Sequence, residues 1–251
     1  ASWEDIPGET GLVYYPPVLQ LSAQYRLVST SDYGCGVVYS NVITITVYTE
    51  INAGAIISSQ LICYNTAPSQ FSFAIAPSGE GDNYMYQWQK SSDNTIFTDI
   101  AMATSNTFQE GSLTSTSYYR VEVTSISCGT SDISDTITVT VRPEFLAGSI
   151  SEAQTICYNT SPMPLAGTNC TGGATVYTYQ WEQSVDGSSY SNAEGTGSTS
   201  LNFTPNALVQ TTYYRLKYTS GSDCGIVYSN EIIITVHPDI VPATIGNNQT
   251  I

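Results

Sequence analysis

Tyr84-Met85-Tyr86-Gln87-Trp88 is the stretch that decides the fold, and it returns as Tyr177-Thr178-Tyr179-Gln180-Trp181. In both copies aromatic residues alternate with polar or flexible ones. A period of two is the mark of a β-strand with one buried face, and here that face carries two tyrosines and a tryptophan. The repetition extends outward. Cys63-Tyr64-Asn65-Thr66 recurs as Cys157-Tyr158-Asn159-Thr160, and Tyr119-Arg120 recurs as Tyr214-Arg215 and stands earlier as Tyr25-Arg26. Spacings of 93 to 95 residues exceed any solenoid unit and match a small domain, so the chain reads as a tandem array of one domain.

Each copy ends in an alternating strand: Asn41 to Val47, Thr136 to Val141 and Asn230 to Val236. A short join then leads to a fresh start at Ala53-Gly54, Ala147-Gly148 and Ala243-Thr244. The expected organisation is the C-terminal half of a repeat over 1–48, complete repeats over 49–142 and 143–238, and the first strand of another over 239–251. On this reading the segment is a window from a longer polypeptide. The joins are short, and Pro143, Pro238 and Pro242 stiffen two of them.

The fold class expected is all-β, as tandem immunoglobulin-like sandwiches in an extended array. A tryptophan on the third strand is one hallmark of that sandwich, here Trp88 and Trp181. The second is a tyrosine corner. Tyr25, Tyr119 and Tyr214 each follow a leucine by six positions and open an alternating strand, which suits a core ring whose hydroxyl bonds back to upstream backbone. Arg26, Arg120 and Arg215 come next in sequence. Alternation points them away from the core, towards Gln87, Gln89 and Glu182, for cross-strand pairing.

Composition narrows the function. Twenty-one acidic residues against six basic ones give a net charge of −15, which repels phosphate backbones and anionic membrane surfaces, so no nucleic-acid partner is expected. No run approaches the ~18 apolar residues that insert in a bilayer. The sequence holds no zinc, P-loop, Rossmann or nucleophile-elbow motif, and its single histidine, His237, leaves a catalytic triad nothing to build on. The expectation is a protein without enzymatic activity, cofactor or metal. Asp93 with Asp99, and Asp186 with Glu182 or Glu194, are acidic pairs, but Ser92-Asp93-Asn94 and Val185-Asp186-Gly187 read as hairpin turns. Trp3, Phe97 and Tyr190 recur three residues before an apolar residue. They read as core caps, with a stacking platform for sugar rings as the functional alternative.

Six cysteines lack any C-x-x-C pair. Two recur in each copy, which admits two schemes. Pairing within the domain, Cys63–Cys128 and Cys157–Cys224, is expected because each copy brings both residues. Each bond closes a loop of about 65 residues, worth ~4 kcal/mol in the chain-entropy model. The other scheme staples neighbours, Cys35–Cys63 and Cys128–Cys157. Cys170 has no counterpart and is free or paired outside the segment. Either scheme implies an oxidising, extracytoplasmic compartment.

The set I-C-Y-N-T, Y-x-Y-Q-W-x-x-S-x-D, L-x-x-x-x-x-Y-R and C-G-x-x-Y-S-N, ahead of I-T-I-T-V, resembles the repeats of large secreted Bacteroidetes surface proteins, SprB-like gliding-motility adhesins among them. That resemblance covers essentially the whole chain. It implies export by the type IX secretion system, an outer-surface location and a role in a cell-surface adhesin or filament. Its partners would be neighbouring repeats of the same polypeptide, with surface polysaccharide or other cell-surface proteins as further ones. Asp135-Thr136-Ile137 resembles the O-glycosylation pattern of that phylum, with Thr136 as acceptor. The second copy departs from the family at Thr130-Ser131-Asp132. The alternative function is a carbohydrate-binding or spacer array of a secreted polysaccharide-degrading protein, for which Tyr33, Tyr39, Tyr48 and Tyr228 are the residues to inspect.

Overall fold

The computed structural model describes residues 2–81 and 83–246. The chain is all-β, with no helix among the described residues. Four short strands come first: β1 (Ala23–Tyr25), β2 (Val28–Thr30), β3 (Val37–Tyr39) and β4 (Ile43–Ile45). β1 pairs antiparallel with β4, and β2 with β3. None of the described residues before Thr49 is buried, and Val37, Val38 and Ile43 lie at least half exposed. This stretch has sheet but no core of its own.

The first sandwich contains β5 (Ala55–Ile56), β6 (Gln60–Ile62), β7 (Phe73–Ile75), β8 (Tyr84–Ser91), β9 (Thr98–Asp99), β10 (Ser117–Ser125), β11 (Ser131–Ile133) and β12 (Ile137–Val141). Its larger sheet runs β6-β12-β10-β8-β9, with β11 also on β10. β6 lies parallel to β12, and the other pairs are antiparallel. The facing layer is β5 with β7, extended by the Phe71–Phe108 bridge. β10 alternates buried and half-buried residues along its whole length, as its sequence dictates. Trp88, Tyr119, Val121 and Val123 meet Phe71 and Ile56 between the layers. The Trp88 indole donates to the Ser105 carbonyl at 2.9 Å, so the ring is buried without an orphaned N–H.

The second sandwich repeats the plan with β13 (Ile150–Ser151), β14 (Gln154–Cys157), β15 (Leu165–Gly167), β16 (Tyr177–Ser184), β17 (Ser191–Asn192), β18 (Gly195–Thr196), β19 (Asn202–Pro205), β20 (Thr212–Ser220), β21 (Ile226–Tyr228) and β22 (Ile232–His237). One sheet runs β14-β22-β20-β16-β17, the other β13-β15-β19-β18. Trp181 is fully buried against Phe203 and donates to the Ser200 carbonyl at 2.8 Å. Residues 239–246 form no strand, and the remainder of the strand expected over 239–251 lies outside the described residues.

Candidate functional site: the join and its disulfide

The chain leaves the first sandwich beside β6: the Arg142 amide donates to the Ile62 carbonyl at 2.9 Å. Cys63 is the next residue after Ile62. The chain then presses Pro143 and Glu144 against a glycine turn of the second sandwich. Gly173 donates to the Pro143 carbonyl at 2.8 Å, and a Cβ at Gly172 would collide with the Glu144 carbonyl. Tyr177 secures that turn by donating its hydroxyl to the Gly172 carbonyl at 2.7 Å. The preceding join uses the same device. A Cβ at Gly79 would strike the Glu50 carbonyl, and the Tyr84 hydroxyl donates to the Gly79 carbonyl at 2.6 Å. Both glycines have positive φ, so their type is fixed by conformation as well as by space.

A disulfide spans the join, linking Cys63 of the first sandwich to Cys224 of the second, with Cα atoms 5.3 Å apart. Cys224 sits in the turn after β20, held by the Gly221 amide on the Val176 carbonyl at 2.8 Å. This corrects both pairing schemes read from the sequence. Cys128 and Cys157, like Cys35, are exposed free thiols. The reason is the direction of the strands. β6 runs parallel to β12, which places Cys63 at the end of the sheet where β10 begins at Ser117. Cys128 lies beyond the other end of β10, where the Ser125 amide donates to the Thr130 carbonyl. A nine-residue strand separates them by roughly 25 Å, several times the reach of a disulfide. The same holds for Cys157 and Cys224 about β20. Cys170 is buried in the second core and its thiol pKa is raised by burial, so it acts as a small apolar filler.

The three arginines form a second recurring arrangement. Arg120 donates through Nε to Gln89 at 2.7 Å, and Arg215 through Nε to Glu182 at 2.8 Å, the cross-strand partners that alternation implies. Each guanidinium also lies on aromatic rings. Arg26 sits between Trp3 and Tyr39 at 4.3 and 4.2 Å from the ring centres, and Arg215 between Tyr190 and Tyr228 at 3.8 and 4.1 Å. Arg120 has one ring, Phe97, at 4.1 Å. The register shows why: Ile133 pairs with Glu122 as Tyr228 pairs with Lys217, so an isoleucine holds the place of the second tyrosine. Trp3, Phe97 and Tyr190 therefore cover an arginine outside the sheet rather than cap the core.

The tyrosine corners need a similar correction. Tyr119 and Tyr214 are fully buried while Tyr25 is half-buried, and neither buried hydroxyl bonds to upstream backbone. Tyr119 donates to the Glu110 carboxylate at 2.7 Å, which also takes Lys90 at 2.9 Å. Burial raises the Glu110 pKa, but these two donors together with the Gly111 amide outweigh it and hold the carboxyl below its ordinary value. In the second sandwich the Glu110 position is Pro205, and the buried Tyr214 hydroxyl has no partner. Burial pushes its pKa up to about 12.

Asp93 and Asp186 are turn residues. The backbone amides of Ile96 and Thr95 and the Ser91 hydroxyl hold the Asp93 carboxyl far below its ordinary pKa. The Ser189 and Ser188 amides and the Ser184 hydroxyl do the same for Asp186. Glu182 pairs with Arg215, and Asp99 accepts from Gln89. Among the described residues no group of three or more His, Cys, Asp or Glu is placed to hold a metal ion, and no helix is long and apolar enough to cross a membrane.

Residues 52–143 and 146–238, one stretch per sandwich, match a family model described as "Domain of unknown function (DUF8696)". The chain belongs to that family. No curated protein matches its sequence. Among solved structures it is similar to the three N-terminal domains of the Highly Immunogenic Outer Capsid protein of bacteriophage RB49, at 12% identity over 87% of this chain and 80% of that one, TM-score 0.41. A marsupial T cell receptor gives 11% identity over 76% and 74%, TM-score 0.44. The insect immune protein hemolin gives 12% over 85% and 56%, TM-score 0.39. This chain thus carries two DUF8696 domains, each built as an immunoglobulin-like sandwich.

Proposed function

We propose that these DUF8696 domains are a repeat segment of a long extracellular adhesin or filament that carries adhesive contacts on the cell surface, in gliding bacteria as part of the motile apparatus. The observation that carries this reading is the Cys63–Cys224 bond across the join. A disulfide between successive domains adds a covalent link outside both cores, which suits a chain that must hold its line under load. Disulfides persist in oxidising compartments, in keeping with a location outside the cell and, on this reading, at the outer membrane of its source. The acidic, lightly charged surface favours solubility over nucleic-acid or membrane contact. Thr136 is exposed beside Asp135 and is the proposed O-glycan acceptor.

The polysaccharide-binding alternative loses one ring face at two of its four tyrosines, while Tyr33 and Tyr48 stand exposed. Tyr39 and Tyr228 each have a ring face occupied by an arginine. The experiment is to offer beads coated with antibody against the segment to living cells of the source organism. Beads that bind and travel along the cell support a motile surface adhesin, and beads that bind and stay support a static stalk. Absence of binding on cells that make the protein overturns surface display.

A further inference from the structure

The end of the second sandwich that carries Cys157 is built like the bonded end of the first. Cys63 and Cys157 occupy the same turn. Thr66 and Thr160 each donate through Oγ1 to the preceding cysteine carbonyl at 2.7 Å, and Asn65 and Asn159 both adopt positive φ, at 57° and 58°. The asparagine amides reach the Leu113 and Leu208 carbonyls at 2.7 and 2.8 Å. Cys63 is bonded, whereas Cys157 is an exposed thiol. The complementary half also recurs. Cys224 lies in a six-residue turn closed by the Ser220 amide on the Gly225 carbonyl at 3.0 Å. Cys35 holds the same place in a turn closed by the Ser31 amide on the Gly36 carbonyl at 3.2 Å. In the turn between Ser125 and Thr130, Cys128 stands one residue earlier.

We infer that the Cys157 end of this chain is a docking surface for a further copy of the same domain, joined to that copy's turn cysteine as Cys63 is joined to Cys224. The domain would thus be a two-ended coupler, with one half-bond at each end and of opposite kind. Such a contact is heterologous, so it extends a line of copies and does not close into a pair. This docking rests on the array reading proposed above. Its chemistry is thiol–disulfide exchange. The Cys157 and turn-cysteine thiols lose two protons and two electrons to form one S–S bond, and an oxidised dithiol or glutathione disulfide takes them up to give two thiols. Cys35 is the turn cysteine of this chain placed to serve a second molecule.

The test uses the full chain, folded with Cys63–Cys224 intact, concentrated in a glutathione redox buffer and digested without reduction for mass spectrometry. The expected result is an open ladder of covalent oligomers in which Cys157 is joined to Cys35 of another chain in preference to Cys128. The ladder should be lost in Cys157→Ser and in Cys35→Ser and kept in Cys128→Ser. Cys157–Cys157 bonds, random pairing among the exposed thiols, or Cys157 capped only by glutathione would overturn the inference. The Cys63–Cys224 peptide is the internal reference. If it is present while Cys157 finds no turn cysteine, the docking fails and the array reading stands. If it is itself missing, the array reading loses its support as well.

Discussion

Breaking the Cys63–Cys224 bond should weaken both domains at once, although it lies in neither core. With the bond in place, a first sandwich that unfolds while the second stays folded remains a closed loop. The chain runs from Cys63 to the join and returns through the folded partner to Cys224. If the second sandwich unfolds instead, its chain is held in the same way from the join to Cys224. Each unfolded loop contains about 80 residues, and closing a loop of that length removes about 4 kcal/mol of chain entropy from the unfolded state. For domains of this size that corresponds to a loss of roughly 15 to 30 °C in melting temperature when the bond is cut. Differential scanning calorimetry of the parent chain, Cys63→Ser and Cys224→Ser is the assay, with mild reduction of the parent as a chemical equivalent. The two variants should behave alike and both transitions should fall together. A fall confined to one transition, or none, would refute the reasoning, because a bond inside one domain has no hold on the other.

The remaining expectations compare the two domains directly. Tyr119→Phe should cost the first domain about 1–3 kcal/mol by removing a donor from the half-buried Glu110 carboxylate. Tyr214→Phe should be neutral or stabilising by about 1 kcal/mol, since its buried hydroxyl has no partner. Urea unfolding of each variant gives both numbers and their opposite sign. Arg215→Met removes the closer of two cations from the buried Glu182 carboxylate, leaving Lys217 at 3.9 Å, and uncovers two rings, and should cost about 2 kcal/mol. Arg120→Met faces a neutral glutamine and one ring and should cost about 1 kcal/mol by the same measurement. Because the Glu110 pKa is lowered in the fold, its contribution is complete above its unfolded value and is lost as pH falls through the folded one. The first domain should therefore lose this share of its stability at pH below about 4, and a Glu110→Gln variant should not show that loss in an acid titration followed by fluorescence.

What could be read from sequence was whatever depends on local periodicity. Alternation around Trp88 and Trp181 located the buried strands, and the position of Arg120 and Arg215 after the tyrosines located their cross-strand partners. What could not be read depends on which end of the sheet a residue reaches. The first cysteine of each copy follows a strand that runs parallel to the last one, so it emerges at the join and not beside its sequence mate. A parallel pairing leaves no turn to announce it. The Glu110–Tyr119 bond was hidden for another reason. The repeat that exposes so much of the fold replaces Glu110 by Pro205, so comparing copies removed the partner from view. The stacks had a signal that went unused. Trp3, Phe97 and Tyr190 recur at one spacing alongside Arg26, Arg120 and Arg215, and the structure brings each aromatic onto its arginine.

The bond across the join also decides how the segment responds to tension. A load applied at the two ends enters through residues before Cys63 and leaves through residues after Cys224. Once the bond carries it, the chain between those cysteines is out of the line of force, 161 positions apart in sequence yet adjacent in space. Either sandwich can then unfold thermally, but neither can be drawn out. Fully extended chain spans about 3.3–3.6 Å per residue, so cutting the bond should release roughly 500 Å of additional length. Optical tweezers with handles at the chain ends should record short extensions for the oxidised chain. Adding a reductant under constant load should produce a step of that size. If the oxidised chain already extends to its full contour length, the bond is not in the load path, and the case for a filament that gains strength at its joins falls with it.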